Sequence, residues 1–214
     1  MVLQKTEEMG TNIREDIRRV LDQEAEAIRS IPVSSDYDEV VELVYEKVHQ
    51  RGGKIIASGM GKAGHVANHM ATTLSSTGTP ALFLHPSEAQ HGDLGIIREN
   101  DVLLVLSNSG KTREILELVE LTHALHSKVP LVIITGNPDG PLARESKLVL
   151  FTGDPEEVCP LGLTPTTSAT TMAVISDVLV VLMMKRINFT PQDYARRHLG
   201  GYLGDNSREV GNEN

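Results

Sequence analysis

The chain has 214 residues, of which 40% are hydrophobic, 23% charged and only 3% aromatic. This composition is typical of a globular domain rather than of a disordered segment, and one domain is expected at this length. The net charge of -9, with no basic stripe against it, excludes nucleic acid as a partner, and the single cysteine, Cys159, excludes an intrachain disulfide or a multi-cysteine metal site.

The sequence predicts neither a secretory leader nor a membrane segment. Residues 1–12 lack the apolar stretch of a signal peptide, and the longest apolar run, from Ala173 to Met184, is interrupted by Ser176 and Asp177. We therefore expect no contact with a membrane. A single cysteine is consistent with the reducing cytoplasm, where we expect the protein to reside.

Two helices are predicted at the start of the chain. Apolar residues recur at helical spacing within residues 13–31, with charged residues between them, which is typical of an amphipathic helix that Pro32 ends. Residues 33–36 can cap a second helix, which continues through Val48 and stops near the Gly-Gly pair that follows.

The rest of the chain alternates between short apolar runs and helical stretches. The apolar runs predict five strands, at residues 54–58, 81–84, 102–106, 131–134 and 148–151. The helical stretches lie at residues 62–77, 111–127, 139–145, 166–186 and 191–197. Because this alternation requires right-handed crossovers, we predict an α/β, three-layer, doubly wound fold with a five-stranded, mainly parallel sheet, preceded by N-terminal helices. The single domain divides into the N-terminal helices (1–52), the core (53–204) and a flexible tail (205–214).

The first predicted strand leads into a glycine-rich turn, SGMGKAGH, at residues 58–65. Ligands of open parallel sheets bind where strands lead into helix N-termini. The turn matches a dinucleotide-binding fingerprint only loosely, since the next strand ends at His85 and Pro86 without the expected acidic residue. It is therefore either a tight turn or a ligand cradle. Lys62 favours the cradle, because a cation there opposes the helix dipole and an anionic ligand would offset that cost.

The third predicted strand leads into SNSGKTRE, at residues 107–114. Ser107, Ser109 and Thr112 are spaced so that their hydroxyl groups can converge on one anion, which predicts a phosphate cradle. The segment lacks the ending of a nucleotide P-loop, so a small phosphoester is favoured over a nucleoside triphosphate. A capping box, with Ser or Thr followed by Glu, is the alternative, and both can hold together.

Three further segments are more polar than a buried α/β scaffold requires, at residues 88–93, 156–160 and 196–201. Each combines a titratable group with Gly or Pro. For a lone histidine a surface or core position is the commoner explanation. Glu156 and Glu157 can equally form a solvated acidic loop.

Five segments, in this order, resemble the sugar isomerase (SIS) domain of the arabinose 5-phosphate isomerases: GMGKAGH, SSTGTPALFLHPSEAQHGDLG, SNSGKTREI, EEVCPLGLTPTTSAT and ARRHLGGYLG. The resemblance runs from about Gly53 to Gly204, and the combination is far more specific than any single motif. Carried over by position, it implies a set of catalytic residues, namely Lys62, Glu114, Glu157, His198 and His91. For binding of the substrate and its phosphate it implies Ser58, Gly59, Gly61, Ser75, Ser76, Thr77, Ser107, Asn108, Ser109 and Thr112.

The sequence departs from the family pattern in two places. Many relatives carry two CBS regulatory modules after the isomerase domain, whereas here only residues 205–214 follow the last of the five segments, so we expect an isomerase domain alone. The residue after SNSG is often Glu in relatives but is Lys111 here, which speaks against a catalytic role for that position and adds a cation beside the expected phosphate.

The resemblance implies interconversion of D-ribulose 5-phosphate and D-arabinose 5-phosphate through a cis-enediol, in the supply of the envelope sugar Kdo. Moving a carbonyl between C1 and C2 needs a base and an oxyanion stabiliser, and we expect no cofactor. Glu114 or Glu157 is the expected base, and the sequence leaves the choice open. His198 would assist ring opening or carry the hydroxyl proton, and Lys62 would stabilise the enediolate or hold the substrate.

No metal is expected to be required, although His91 is a candidate ligand for an inhibitory metal. The family implies a homotetramer with sites near subunit interfaces, where His198 can serve a neighbouring subunit. CMP-Kdo is a candidate feedback ligand. Two alternatives stay open: an isomerase for another sugar phosphate, such as a hexulose or heptose phosphate, and a non-catalytic sugar-phosphate sensor, which the absence of a basic recognition face in the first two helices disfavours.

Overall fold

The computed structural model describes residues 12–199. Their centre is a five-stranded sheet of β1 (Ile55–Gly59), β2 (Ala81–Phe83), β3 (Val102–Leu106), β4 (Leu131–Thr135) and β5 (Leu148–Phe151). The order across the sheet is β2-β1-β3-β4-β5, and every neighbouring pair is parallel. The predicted α/β fold is therefore confirmed, and each strand lies within one residue of its predicted bounds.

Eight α-helices surround the sheet in the described part of the chain: α1 (Ile13–Arg29), α2 (Asp36–Val44), α3 (Gly61–Ser76), α4 (Pro86–Ala89), α5 (Arg113–Leu125), α6 (Pro141–Glu145), α7 (Thr167–Arg186) and α8 (Pro191–Arg197). The second predicted helix changes character, since Tyr45–Gln50 continues α2 as a π-helix. Neither α4 nor a 3₁₀ turn at Asp93–Ile96 was predicted, because pieces of four residues are too short to show a helical period.

Helices cover both faces of the sheet, which explains why its strands are nearly continuous apolar runs. On one face α2, α3 and α7 pack over a core that includes Ile55 and Leu104. On the other face α5 and α6 pack over Ile56 and Leu103. Successive residues of each strand thus enter opposite cores. The result is the predicted three-layer arrangement.

The most apolar helix is α7. By length and composition it could cross a membrane, and within residues 12–199 it alone meets that test, with half of its most apolar window buried inside the protein. It packs against α3, and a core helix buried in this way has the same composition.

The parallel strands give the sheet two distinct edges. At the carboxyl edge, β1 leads into α3, β3 into α5, and β5 through residues 152–166 into α7. At the amino edge, α3 ends and β2 begins, and the Ser75 hydroxyl donates to the carbonyl oxygen of Ala81 over 2.6 Å. Residues 1–11 and 200–214, with the Gly-rich end of the fifth segment and the predicted tail, lie outside the described residues.

Candidate active site

The turn between β1 and α3 requires its glycines for packing. A Cβ on Gly64 would stand 2.5 Å from the carbonyl oxygen of Gly59, and Gly61 has a φ of +58°, a conformation that favours glycine. Lys62 follows in the first turn of α3 at the carboxyl edge. Its side chain is exposed and makes no hydrogen bond or ion pair with any other residue of the described range, so it is available to an anion.

Ser58 supports this turn from within the fold. Its side chain is fully buried, and its hydroxyl donates to the carbonyl oxygen of Leu84 over 2.6 Å, tying β1 to the segment after β2. The hydroxyl predicted to bind substrate is therefore engaged by the protein itself.

The loop between β3 and α5 brings the predicted phosphate-binding hydroxyls together. The Ser107 and Thr112 hydroxyl oxygens are 2.9 Å apart, and the Ser109 hydroxyl accepts from the amide of Lys111 over 3.2 Å. Asn108 is held from the neighbouring strand, since its carbonyl accepts from the amide of Gly136. Three hydroxyls thus lie within one short loop at the start of a helix.

The capping-box alternative for this loop is not what the structure forms. Thr112 is the N-cap residue of α5, but its side chain makes no capping hydrogen bond and instead contacts Ser107. The first amides of a helix have no intrahelical acceptor, and with the positive end of the helix dipole they favour an anion. The geometry of this loop suits a phosphate group.

Glu114 lies in the first turn of α5, directly beyond the hydroxyl loop. It is half-buried and has no hydrogen bond or ion pair with another residue among 12–199. Its carboxylate is therefore free to accept a proton or a substrate hydroxyl.

Both carboxylate oxygens of Glu157 accept hydrogen bonds at the start of α7. Its Oε2 accepts from the amide and the hydroxyl of Thr166 over 2.7 and 2.9 Å, and its Oε1 accepts from the hydroxyl of Ser168. Burial alone would raise the pKa of Glu157, but the hydrogen bonds from Ser168 and Thr166 outweigh it and hold the pKa below its ordinary value. Glu157 is not a solvated loop residue; it caps a core helix as an anion.

The loop that follows Glu157 closes around Cys159. The thiol sulfur accepts from the amides of Leu163 and Thr164 over 3.3 and 3.2 Å. The amide of Thr164 is the largest of the causes that lower the pKa of Cys159 to about 7. The sequence marked this segment as polar but gave no sign that its sulfur organises the backbone.

Two predicted histidines lie outside this group of contacts. His91 is exposed between α4 and the 3₁₀ turn, and its ring has no partner among the described residues. His198 ends α8 and stacks on Tyr194 with ring centroids 3.7 Å apart, while its Nδ1 is 3.0 Å from the Tyr194 carbonyl oxygen. A carbonyl can only accept, so Nδ1 donates and Nε2 is the basic nitrogen of the neutral ring.

The residues around His198 lie near the amino edge of the sheet. Tyr194 contacts Phe189, and Phe189 packs so closely on Gly78 that a Cβ there would lie 2.9 Å from its ring. Gly78 lies in the turn between α3 and β2. The fold of one chain thus groups His198 with the amino edge and not with the hydroxyl loop.

Ser75, Ser76 and Thr77 also lie at the amino edge, away from the hydroxyl loop of their own chain. Ser75 follows Lys62 by thirteen positions in α3, a distance along the helix of about 20 Å at 1.5 Å per residue. Each of their hydroxyls donates to a backbone carbonyl, of Ala81, Thr73 or Leu74. Ser75 thus fastens the end of α3 to β2, whereas the hydroxyls of Ser76 and Thr77 bond back to the last turn of α3.

Two clefts of about 480 and 500 Å³ lie near the amino edge, lined in part by Tyr45 and Arg186 and by Lys47 and Lys128 respectively. They are separate from the loops at the carboxyl edge. Within residues 12–199, no group of three or more His, Cys, Asp or Glu residues is arranged to hold a metal ion.

The fold and the polar carboxyl edge define a doubly wound α/β protein of the class that takes a small ligand where strands end. The family model for the SIS domain matches residues 35–182, and the chain belongs to the SIS domain family. The expected family is thus confirmed. Among solved structures, the chain is similar to a Bacteroides fragilis protein described as a phosphosugar isomerase involved in capsule formation, with 57% identity, a TM-score of 0.88, and coverage of 89% of this chain and 100% of that one.

A second solved relative is an E. coli CFT073 protein in complex with arabinose 5-phosphate, with 30% identity, a TM-score of 0.81, and coverage of 88% of this chain and 98% of that one. Among curated proteins, the chain is 46% identical over 162 residues to the arabinose 5-phosphate isomerase KdsD of Shigella flexneri, which covers 76% of this chain and 49% of the relative. The chain therefore spans about half the length of that relative.

Proposed function

We propose that the chain is an arabinose-5-phosphate isomerase, which interconverts D-ribulose 5-phosphate and D-arabinose 5-phosphate through a cis-enediol. The observation that carries the proposal is the placement of Lys62, Glu114 and Glu157 where β1, β3 and β5 lead into helices at one edge of the sheet. The hydroxyl loop at the same edge suits the phosphate of such a sugar. Similarity to KdsD and to a protein solved with arabinose 5-phosphate supports this substrate.

Glu114 is the proposed base, and the structure supports it over Glu157. Glu157 has both carboxylate oxygens occupied and a lowered pKa, which weakens it as a base, whereas the carboxylate of Glu114 has no partner in the described range. Glu114 removes the proton from C2 of the aldose and returns it to C1. The O2 proton moves to O1, so one proton passes from C2 to C1 and the other from O2 to O1, and no electron acceptor is needed.

The remaining residues take supporting roles. The hydroxyls of Ser107, Ser109 and Thr112 bind the phosphate, and Lys62 stabilises the negative charge of the enediolate. His198, through Nε2, carries the hydroxyl proton or assists ring opening. We propose that no cofactor and no metal is required, that metal binding at His91 only inhibits, and that full activity survives exhaustive chelation; loss of activity restored by one metal would overturn this.

Assembly into a homotetramer in the cytoplasm is part of the proposal. His198 lies with the amino edge in its own chain, so a neighbouring subunit would supply it to the carboxyl edge. Within residues 12–199, three apolar side chains of α1 also lie uncovered, since Ile13 is 75% exposed and Ile17 and Leu21 are exposed beside it. Light scattering after gel filtration checks the assembly, and a monomer with full turnover would rule out a shared site.

The first test incubates chelator-treated protein with D-arabinose 5-phosphate and measures ribulose 5-phosphate, with glucose 6-phosphate and sedoheptulose 7-phosphate as competitors. Glu114→Gln is compared with Glu120→Gln, an exposed glutamate of the same helix without a partner among residues 12–199. Selective turnover lost only in the first variant supports the proposal. Turnover of another sugar phosphate favours a different isomerase, and binding without turnover favours a sensor.

The product would feed synthesis of Kdo for the cell envelope, with CMP-Kdo as a feedback ligand. CMP-Kdo is an anion that could compete for the hydroxyl loop. If saturating CMP-Kdo does not inhibit the isomerisation, this part of the proposal is wrong.

A further inference from the structure

Glu24 of the N-terminal helix α1 contacts the start of α7 at the carboxyl edge. Its Oε1 accepts from the hydroxyl of Thr167 over 3.1 Å. Thr167 is the first residue of α7 and is only 1% exposed, and α1 packs along α7. Glu24 precedes residues 35–182, which match the SIS family model, so this contact adds to the part of the chain that the family describes.

The hydroxyl of Thr167 also accepts from the amide of Val158 over 3.1 Å. A hydroxyl has a single proton, and once that proton is donated to Glu24 the lone pairs are left for the amide. Val158 directly follows Glu157. Glu24 therefore fixes the direction of the hydroxyl that holds the backbone beside Glu157.

At the start of α7, three consecutive residues donate hydrogen bonds from their side-chain hydroxyls to two carboxylates. Thr166 and Ser168 donate to Glu157, and Thr167, between them, donates to Glu24. A shift of Thr167 would move the two donors on either side of it. The contacts of Glu24 and those of Glu157 are thus parts of one rigid arrangement.

Glu24 is not placed for stability alone. Its second carboxylate oxygen, Oε2, is buried and has no hydrogen-bond partner among the described residues. A buried polar atom without a partner destabilises the fold. The contact between Glu24 and Thr167 is therefore better explained by the orientation of the Thr167 hydroxyl than by a gain in the stability of the fold.

We propose that Glu24 is a positioning residue for Glu157 and acts through Thr167 and Val158. It sets the orientation of the Glu157 carboxylate at the carboxyl edge, so that α1 is coupled to the site. Its effect on turnover rests on the proposed isomerase function, whereas its effect on Glu157 does not.

The test measures the pKa of the Glu157 carboxyl directly, by ¹³C NMR of protein labelled at the glutamate carboxyl carbon, with the signal assigned from Glu157→Gln. Thr167→Val removes the hydroxyl without changing charge or shape, and Thr167→Ser keeps it. Glu24→Ala and Glu24→Gln both remove the same charge, but only Gln keeps an oxygen that can accept from Thr167. Glu26→Ala is the matched control, because Glu26 is exposed on the same helix and, among residues 12–199, its carboxylate pairs only with Arg29.

Thr167→Val is expected to raise the pKa of Glu157 by about 0.5 unit or more, because the donors that stabilise its charged form loosen. Thr167→Ser and Glu26→Ala should leave it unchanged. The pKa should be higher in Glu24→Ala than in Glu24→Gln. An unchanged pKa in Thr167→Val, or equal values in the two Glu24 variants, would overturn the proposal, and thermal unfolding verifies that each variant is folded.

Kinetics then separate the two proposals. Thr167→Val and Glu24→Ala should each lower kcat by about tenfold with a smaller change in KM, and their double variant should be no worse than either alone, since both break one chain of contacts. If the wild-type protein turns over no sugar phosphate, the proposed function fails while the NMR titration still decides the role of Glu24. Multiplicative losses in the double variant would show that the two residues act independently and would contradict the proposal.

Discussion

Replacing Glu157 by Gln tests whether this carboxylate holds the start of α7. The wild-type carboxylate accepts hydrogen bonds from the amide and hydroxyl of Thr166 and from the amide and hydroxyl of Ser168. Gln keeps only one acceptor oxygen and turns an amide nitrogen, which is a donor, toward groups that also donate. It also removes the negative charge that faces the positive end of the helix.

The expected loss of stability follows from these contacts. Loss of a helix cap costs about 1 kcal/mol, and an unpaired donor at the same place costs about 1 kcal/mol more. We therefore expect Glu157→Gln to lower the free energy of unfolding by about 2 kcal/mol at pH 7. For a chain of this length the melting temperature should fall by about 4 to 8 °C.

The loss should depend on pH, with a defined sign. Hydrogen bonds hold the pKa of Glu157 below its ordinary value of 4.5 in the folded protein. The charged form thus stabilises the fold above the unfolded pKa, and this contribution disappears as the pH falls through the folded pKa. The difference between wild type and variant should be complete at pH 7 and shrink as the pH falls below 4.5.

Thermal unfolding followed by circular dichroism, at one protein concentration, measures this difference. Glu156→Gln is the control, because Glu156 is exposed and has no partner in the described range. Equal melting temperatures for Glu157→Gln and the control at pH 7 would refute the capping role. A difference that persists undiminished at low pH would refute the charge argument.

Three further predictions concern separate features. Glu114→Gln should lower kcat by at least about 100-fold, as expected for loss of a general base, and leave the melting temperature unchanged; a kcat within tenfold of wild type would reassign the base. Asp101→Ala should lower the free energy of unfolding, measured in urea, by about 3 to 5 kcal/mol, because the buried carboxylate accepts from the amide and ammonium of Lys54 and the amide of Arg98. Glu99→Ala, at an exposed position, is the control, and an equal loss in both variants would contradict this. Alkylation of Cys159 by iodoacetamide should accelerate through pH 7, since the pKa of its thiol is about 7; a midpoint above pH 8, or labelling of Cys159→Ser, would contradict it.

Several elements could be predicted from local sequence alone because their causes are local. The run at residues 102–106 is apolar throughout, and a strand covered by helices on both faces needs that pattern. Pro32 ends the first helix wherever the rest of the chain lies. The glycines of the turn after β1 are needed by the turn itself, as the close approach of Gly59 and Gly64 makes clear.

Other features could not be predicted because they depend on distant parts of the chain. The sequence pattern groups Ser75, Ser76 and Thr77 with the phosphate site, but it does not show that α3 ends at the amino edge, away from the hydroxyl loop of the same chain. The link between Glu24 and Thr167 joins residues 143 positions apart. No spacing rule reveals a contact over that distance.

The sequence by itself determined the strand and helix alternation, the parallel fold and the family, since each is written in short apolar runs and in motifs that act locally. Only the tertiary structure decided which polar residues meet. In the folded chain Glu157 caps α7, Glu114 has no partner among the described residues, and His198 lies near the amino edge of the sheet. The physical reason is that a side chain's role depends on the donors and acceptors that the fold brings within hydrogen-bonding distance, and these come from elements far apart in the chain.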